Sequence, residues 1–255
     1  PRQKLVDGDA DFAVLGMSRV KILLEEEQDP VALSAIFQIS PHVFFALDET
    51  EIRHPRDLVG KKVGIKSGSW GRRIHSTLEQ IGIDPEEIIE VDVDFDAMNL
   101  LYDGTVDVWT GFVNDEVVNA RQDGHSVDLI FPADYAVGTY IGLITVLEDA
   151  LMADPDQAER FVRASLRGWE YAIQNPEEAA EIVAAWDVEH DLEFHRAAIH
   201  ELVPLIDTGQ APIGWIDEAR WLREMGDAVN EEQPRVNLDG LLGIPANQAW
   251  FTAVE

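Results

Sequence analysis

The sequence contains no cysteine in 255 residues. Disulfide staples, thiolate nucleophiles and cysteine-bound metals are therefore excluded outright, while export from the cell stays permitted. Cations are scarce as well: 19 Lys and Arg face 49 Asp and Glu, a formal charge of −30. A field of that sign repels phosphate backbones and anionic lipid, so neither nucleic acid nor a membrane surface is an expected partner. The acidity reads as a solubilising surface, of the kind a saline habitat favours. No apolar run approaches the roughly 18 residues that span a bilayer. A low-complexity linker is missing too, so any domain boundary is expected where strands cross it. Nothing at the start has the form of a signal peptide. The opening PRQKLVDG reads instead as the last turn of a helix closing on Gly8, with a strand and a helix expected upstream of this sequence.

The composition that remains, 46% hydrophobic and 27% charged, is that of a globular protein, and the length suits one large or two modest domains. Short apolar runs fit for buried strands alternate with helical spacing. DFAVLGM, PVALSAIFQIS, HVFFAL, Lys62 to Ile65, IIEVDVDFD, VDVWTGF and TYIGLITVL read as strands. Helices are expected over Val20 to Glu27, Gly71 to Ile81 and Phe95 to Tyr102, with turns at Asp57-Leu58-Val59-Gly60 and Asp84-Pro85-Glu86-Glu87. Such alternation argues for parallel βαβ units rather than a sandwich. Past Gly138 helices dominate. Asp154-Pro155-Asp156-Gln157 has a cap residue, a proline at the first helical position and a capping-box glutamine. Behind it Phe161, Val162, Leu166, Trp169 and Ile173 keep helical spacing, and Trp169 is expected in the core. A second helix starts at Asn175-Pro176, with Ile182, Val183 and Trp186 expected inward; later helical segments are expected to break at Pro204 and Pro234.

One phrase occurs twice. LVDGDADFAVLG (Leu5 to Gly16) and LYDGTVDVWTGF (Leu101 to Phe112) share Leu, Asp, Gly and Asp at four aligned positions. In each a helix closes on glycine and a strand follows. Two copies inside βαβ texture suggest two similar α/β lobes.

HPRDLVGKKVGIKSGS, GIDPEEIIEVDV, LLYDGTVDVWTGFVNDE and ERFVRASLRGWEYAIQNPEEAAEI together resemble the SsuA/THI5-like (NMT1-like) solute-binding proteins of bacterial ABC importers. The likeness is nearest to the branch that handles thiamine pyrimidine precursors and riboflavin-type compounds. It implies an α/β, periplasmic-binding-protein-like (type II) fold of two doubly wound lobes joined by a two-strand hinge and closing on ligand. On that template one lobe comprises residues 1–47 plus 140–255 and the other residues 48–139. The implied function is capture of a small heteroaromatic nutrient, by a monomer, for an ABC permease and its ATPase. No cofactor and no catalytic residue is implied. The implied location is periplasmic or extracellular, with a lipid anchor or the transporter as the tie to the membrane.

Ligands of open α/β sheets bind at the carboxyl ends of strands. Ser18 follows the first strand and offers either a ligand hydroxyl or a helix cap. Ser67, Gly68 and Ser69 follow the Lys62 strand, where a glycine and free amides suit an anionic or carbonyl group; the Gly-Lys-Ser/Thr ending of a Walker loop is missing. Trp70 beside them either covers an aromatic ligand or simply packs. In WTGFVNDE, Trp109 presents a flat face, Thr110 and Asn114 offer polar contacts, and Glu116 matches a family glutamate that the resemblance assigns to a pyrimidine amine. Tyr135 and Tyr140 enter the implied hinge strand, and Trp215 in APIGWID lies in a loop at the implied cleft edge, with core packing the alternative for each.

Metal readings fail. DVDFD starts like a calcium loop, but its sixth position is Ala97 and its twelfth Asp103, so a strand with one charged face is the better reading. His190, His195 and His200 are spaced by five, which does not set two imidazoles on one helical face; surface histidines are expected. No Gly-x-Ser-x-Gly elbow occurs. Two alternatives differ in class from a transport protein. One is a pyrimidine synthase on the same fold, which by resemblance uses a cysteine-rich segment and is disfavoured here. The other is the ligand-binding domain of a receptor.

Overall fold

The structure is a computed structural model that describes residues 1–226; the break expected at Pro234 lies outside them. The chain opens on α1 (Arg2–Val6), β1 (Ala13–Leu15), α2 (Met17–Glu25), β2 (Pro30–Ala35) and β3 (His42–Leu47). Then come β4 (Lys62–Ile65), α3 (Trp70–Gln80), β5 (Ile89–Asp92), α4 (Asn99–Tyr102), β6 (Val108–Phe112), α5 (Glu116–Gln122) and β7 (Val127–Ile130). The remainder is β8 (Leu143–Leu147), α6 (Glu148–Ala153), α7 (Pro155–Gln174), α8 (Pro176–Ala184), α9 (Leu192–Ile206) and α10 (Glu218–Met225). The turns read around Asp57 and Asp84 are short 3-10 turns, Pro55–Leu58 and Pro85–Glu87.

Both copies of the repeated phrase end a helix through glycine. Gly8 and Gly104 take φ +73° and +75°, a left-handed conformation that costs glycine nothing and other residues roughly 1 kcal/mol. After α1 the chain reaches β1, and after α4 it reaches β6. The copies then diverge: β1 pairs antiparallel with β8, while β6 pairs parallel with β4 and antiparallel with β3.

The chain forms two compact units. Among the described residues the first contains Pro1–Ser40, Thr139–Asn175 and those from Pro204 to Gly226; the second contains Pro41–Gly138 and Pro176–Val203. In the first unit the sheet order is β1-β8-β2, with both pairings antiparallel. Its core gathers Leu15, Met17, Val20, Leu23, Tyr140 and Trp221. α7 starts as its sequence dictates, with the Asp154 side chain accepting from the Gln157 N–H at 2.9 Å and Pro155 in the first turn. Val162 and Leu166 are buried, whereas Phe161 is exposed enough to stack flat on Phe12 at 4.2 Å. Trp169 is half-buried, edge-on to Phe37 at 6.3 Å.

The second unit's sheet runs β5-β4-β6-β3-β7. The parallel pairing that βαβ alternation argues for is found in β5-β4-β6, while β3 is antiparallel to both β6 and β7. The physical reason is connection. Parallel neighbours need a crossover, and the β4–α3–β5–α4–β6 stretch is where helices separate successive strands. β3 falls in this unit because its hydrogen-bond partners do. Phe44, Ile52, Leu58, Val63, Ile74, Leu78, Val108 and Ile130 make its core.

Two helix expectations need correction. Ile182, Val183 and Trp186 are 50%, 50% and 86% exposed, and the buried residues of α8 are Ala179 and Ala180. An alanine face is enough to cover that helix, and Trp186 lies past its end. α9 also does not break at Pro204 but runs through it to Ile206. So close to the C-terminus, the missing N–H removes one bond of the last turn only.

In the first unit Gly214 shows why one loop is where it is. Its C=O accepts from Ala35 N–H at 3.1 Å and from the Ser34 hydroxyl at 3.1 Å. Its φ is +86°, and an added Cβ would meet Leu166 at 2.5 Å and Ser34 Oγ at 2.6 Å. Gly214→Ala is therefore expected to lower unfolding free energy by about 1–3 kcal/mol, read from urea denaturation.

Candidate functional site

Past the exposed Lys62, strand β4 is apolar and buried to its last residue, and the next residue is a second lysine. The Lys66 side chain has 0% exposure, so its ammonium lies out of water. Such a group needs a carboxylate. Glu116 Oε1, at the first residue of α5, makes that ion pair, and Glu116 Oε2 accepts the Phe112 N–H at 2.8 Å. The carboxylate lies on the end of β6 because position 111 is glycine: a Cβ there would meet Glu116 Cδ at 2.9 Å. Three rings surround the ammonium, with centroids at 4.6 Å for Trp70, 5.4 Å for Phe95 and 5.7 Å for Trp109. Cations favour such aromatic faces. Phe95 is 57% exposed and Glu116 14%, so ring and carboxylate are the parts of this cluster that solvent reaches.

A second cation adjoins. Arg73, on the first turns of α3, places Nη2 3.2 Å from Nε2 of the buried His42. A guanidinium only donates, so Nε2 is the acceptor and the imidazole is neutral, with its proton on Nδ1. Burial, then Arg73, then Lys66 hold the His42 pKa down to about 2. The imidazole packs against Trp70 at 4.8 Å and Phe112 at 4.6 Å, and Trp70 meets Phe112 edge-on at 5.3 Å. Burial also lowers the Arg73 pKa to about 10, and its Nε is buried without a hydrogen-bond partner. Asp115, half-buried before Glu116, has its pKa raised by burial and by the Glu116 charge.

Ser67, Gly68, Ser69 and Trp70 thus follow the carboxyl end of β4 and Glu116 that of β6, while Trp109 is the second residue of β6, opposite Gly64. Ser67 and Gly68 are exposed; Ser69 stands at the start of α3 with its C=O accepting from Arg73 N–H. Trp109 is fully buried, its ring so close to β4 that a Cβ on Gly64 would meet it at 3.0 Å. Its strand β6 is hydrogen-bonded to β4 on one edge and β3 on the other, an interior position in the sheet. The Thr110 hydroxyl is occupied, donating to Gly64 C=O at 3.0 Å in the core. Asn114 is half-buried in the β6–α5 turn. Tyr135 packs on the second unit's core, edge-on to His54 at 5.5 Å.

Ser18, Tyr140 and Trp215 belong to the first unit. Ser18 is exposed at the second residue of α2 and does not cap it; Gly16 holds that position. Tyr140 is buried, its hydroxyl accepting from Asp217 N–H at 2.9 Å and its ring 3.8 Å from the Arg220 guanidinium. Trp215 is half-buried, and its C=O accepts from Gln38 Nε2 at 3.0 Å. Among the described residues no group of three or more His, Asp and Glu is arranged to hold a metal ion. Of the histidines read as surface groups, His200 is exposed, while His190 and His195 are partly buried: Asp187 Oδ2 lies 3.1 Å from His190 and 3.0 Å from His195, joining a loop to α9.

Sequence reasoning missed Lys66, Arg73, His42 and Phe95. The one available signal was VGIK, an apolar strand whose final side chain is a lone lysine. Arg73 and His42 read as ordinary polar positions, because their burial depends on α3 lying over β3.

Two outcomes follow from these charges. Removing one partner of a buried ion pair strands the other, so Glu116→Gln is expected to cost about 3–5 kcal/mol in denaturant unfolding. Lys66→Met combined with Glu116→Gln should recover most of that. For His42, the folded pKa lies below the unfolded value of 6.5, so the unfolded chain binds the extra proton. Its contribution is complete above about pH 6.5 and declines as pH falls toward 2, by about 1.4 kcal/mol per pH unit. Unfolding measured from pH 7 to pH 4 should show that slope, and His42→Gln should flatten it.

The model of the NMT1/THI5 like family matches residues 1–179. The chain is 28% identical over 209 residues to the formylaminopyrimidine-binding protein of Halalkalibacterium halodurans, covering 78% of this chain and 63% of that protein. It is 28% identical over 247 residues to the riboflavin-binding protein RibY of Chloroflexus aurantiacus, covering 92% of this chain and 68% of that one. A third relative, 26% identical over 180 residues, is the 4-amino-5-hydroxymethyl-2-methylpyrimidine phosphate synthase of Legionella pneumophila, covering 69% and 57%. The chain thus spans only part of the length of each. Among solved structures, the periplasmic aliphatic sulphonate binding protein SsuA of Escherichia coli superposes with TM-score 0.67 at 16% identity, covering 78% of this chain and 65% of that one, and shows the same fold. With the family model matching well over half its length, the chain belongs to the NMT1/THI5-like family and has the α/β fold of the SsuA-type binding proteins.

Proposed function

We propose that the chain is the ligand-capturing part of an ABC-type importer and takes a small heteroaromatic molecule of the pyrimidine or riboflavin class. The observation that carries this reading is the Lys66–Glu116 pair set among Trp70, Phe95 and Trp109. Its accessible edge combines an aromatic face with a carboxylate. A flat heterocycle needs that combination: the ring stacks on Phe95, and an amino or ring N–H donates to Glu116. A neutral, flexible ligand would use neither. The names of two relatives, one binding a formylaminopyrimidine and one riboflavin, support the class.

Binding rather than catalysis is the reading we prefer, although one relative is named a synthase. The synthase chemistry implied by resemblance uses cysteines, and this sequence has none. Delivery to a permease on the periplasmic or extracellular side, as a monomer, completes the proposal. Among the described residues no helix is long and apolar enough to cross a membrane.

Thermal shift and titration calorimetry with aminopyrimidines and riboflavin should show binding and a raised melting temperature. Phe95→Ala leaves an already exposed position, and is expected to weaken that binding about 2- to 10-fold, the worth of one stacking contact. A preference for aliphatic sulfonates over every heterocycle, or a Phe95→Ala variant that binds like the parent, would overturn the assignment.

A further inference from the structure

The two most exposed large apolar side chains among the described residues stand together. Val188 is 97% exposed and Trp186 86%, and the half-exposed Ile182 and Val183 precede them on α8. The helical turn runs on past α8, with Trp186 N–H donating to Val183 C=O at 2.9 Å. Trp186 therefore follows Ile182 and Val183 at i+4 and i+3, on one face. The fold makes no use of that face, because Ala179 and Ala180 are what α8 buries.

The face is also held still. Arg196 of α9 donates to Glu177 of α8 at 2.8 Å and to Glu193 of its own helix, which clamps the two helices together. In the loop between them Asp187 pairs with His190 and His195, and Asp191 accepts from Phe194 N–H at 2.9 Å where α9 starts. Phe194 in turn packs on Val118 of α5. An apolar surface whose backbone is already fixed loses little entropy when a partner covers it.

Size and charge say what that partner is. Full burial removes about 150–250 Å² for a tryptophan and roughly 60–120 Å² for valine or isoleucine, so at these exposures the four side chains offer on the order of 300–400 Å². A stable dimer buries about 800 Å² per partner, so the patch suits a contact that is made and released. Residues 176–203 carry eight carboxylates and one Lys or Arg, namely Arg196. A second copy of net charge −30 meets that rim with like charge, and so does anionic lipid. The complement is a protein face with an apolar recess bordered by Lys and Arg.

We infer that the face of Ile182, Val183, Trp186 and Val188 is where this chain docks, transiently, on such a basic-rimmed recess of its permease. The inference rests on the importer reading for the partner and on the patch for the place. Trp186 is the anchor that fills the recess, and the acidic rim speeds the encounter. None of the four belongs to the cluster around Lys66 and Glu116, so docking and ligand capture are measured separately.

The test is association of the full chain with its own permease and ATPase in nanodiscs of uncharged lipid, followed by biolayer interferometry. Trp186→Ala is expected to weaken binding about 10- to 100-fold. Glu189→Lys, at an exposed rim position, should slow association, and the parent's association should fall as salt rises. In Trp186→Ala the melting temperature and the calorimetric affinity for riboflavin or an aminopyrimidine should match the parent's. A Trp186→Ala variant that docks like the parent overturns the surface and leaves the importer reading intact. A parent that captures a heterocycle but binds no permease overturns the importer reading, and this inference with it. A lowered melting temperature in the variant means that the chain itself already covers the patch. Trp186-dependent dimers in sedimentation equilibrium assign the patch to a second copy, and Trp186-dependent binding to empty nanodiscs assigns it to lipid. Each of those three results overturns the permease as its occupant.

Discussion

The second unit is organised around one ammonium that water cannot reach. Lys66 follows a strand whose last three residues are apolar and buried, and burying its charge is tolerable only with Glu116 in place. That requirement propagates. The carboxylate must sit at the start of α5, on a strand end where position 111 has no side chain, with the Phe112 N–H as its second donor. The rings of Trp70 and Trp109 must flank the ammonium, which sets where α3 begins and how β6 lies against β4. One ion pair therefore ties two strands and two helix starts at the end of the sheet where an α/β protein keeps its ligands.

Next to it the same unit holds an imbalance rather than a balance. His42 is kept neutral by burial and by two cations, and Arg73 is left with a neutral partner. In the first unit one polar cluster closes on itself, although Trp221 Nε1 beside it is buried without a hydrogen-bond partner. There Tyr140 donates its N–H to Glu224 at 2.7 Å and accepts from Asp217 N–H, Arg220 lies over its ring, and Arg220 also pairs with Glu224 at 2.5 Å. That network holds α10 onto the segment entering β8 and leaves no charge over.

The apolar surface shows the same difference between pattern and outcome. Helical spacing marks Ile182, Val183 and Trp186 as one face, and spacing is all the sequence offers there. Alanine pairs on the opposite side cover the helix with less surface and leave those side chains in solvent. A period names a face; only packing decides which face is used.

The sequence alone determined the local events, because each is settled by a few adjacent residues. Glycine after LVD and LYD ends two helices in the left-handed region, Asp154 and Pro155 start α7, and each apolar run read as a strand contains one, though β2, β5 and β8 are several residues shorter than their runs. It also determined the family, through the order and spacing of its motifs. The direction of β3, the burial of Trp109 and the roles of Lys66, His42 and Arg73 were decided by the tertiary structure. These depend on partners as distant in the chain as Ile130 is from Phe44, whose approach no local pattern encodes. The twice-written phrase holds both lessons. Its glycines behave alike because a helix end is local, and its strands differ because one lies beside β8 and the other between β4 and β3.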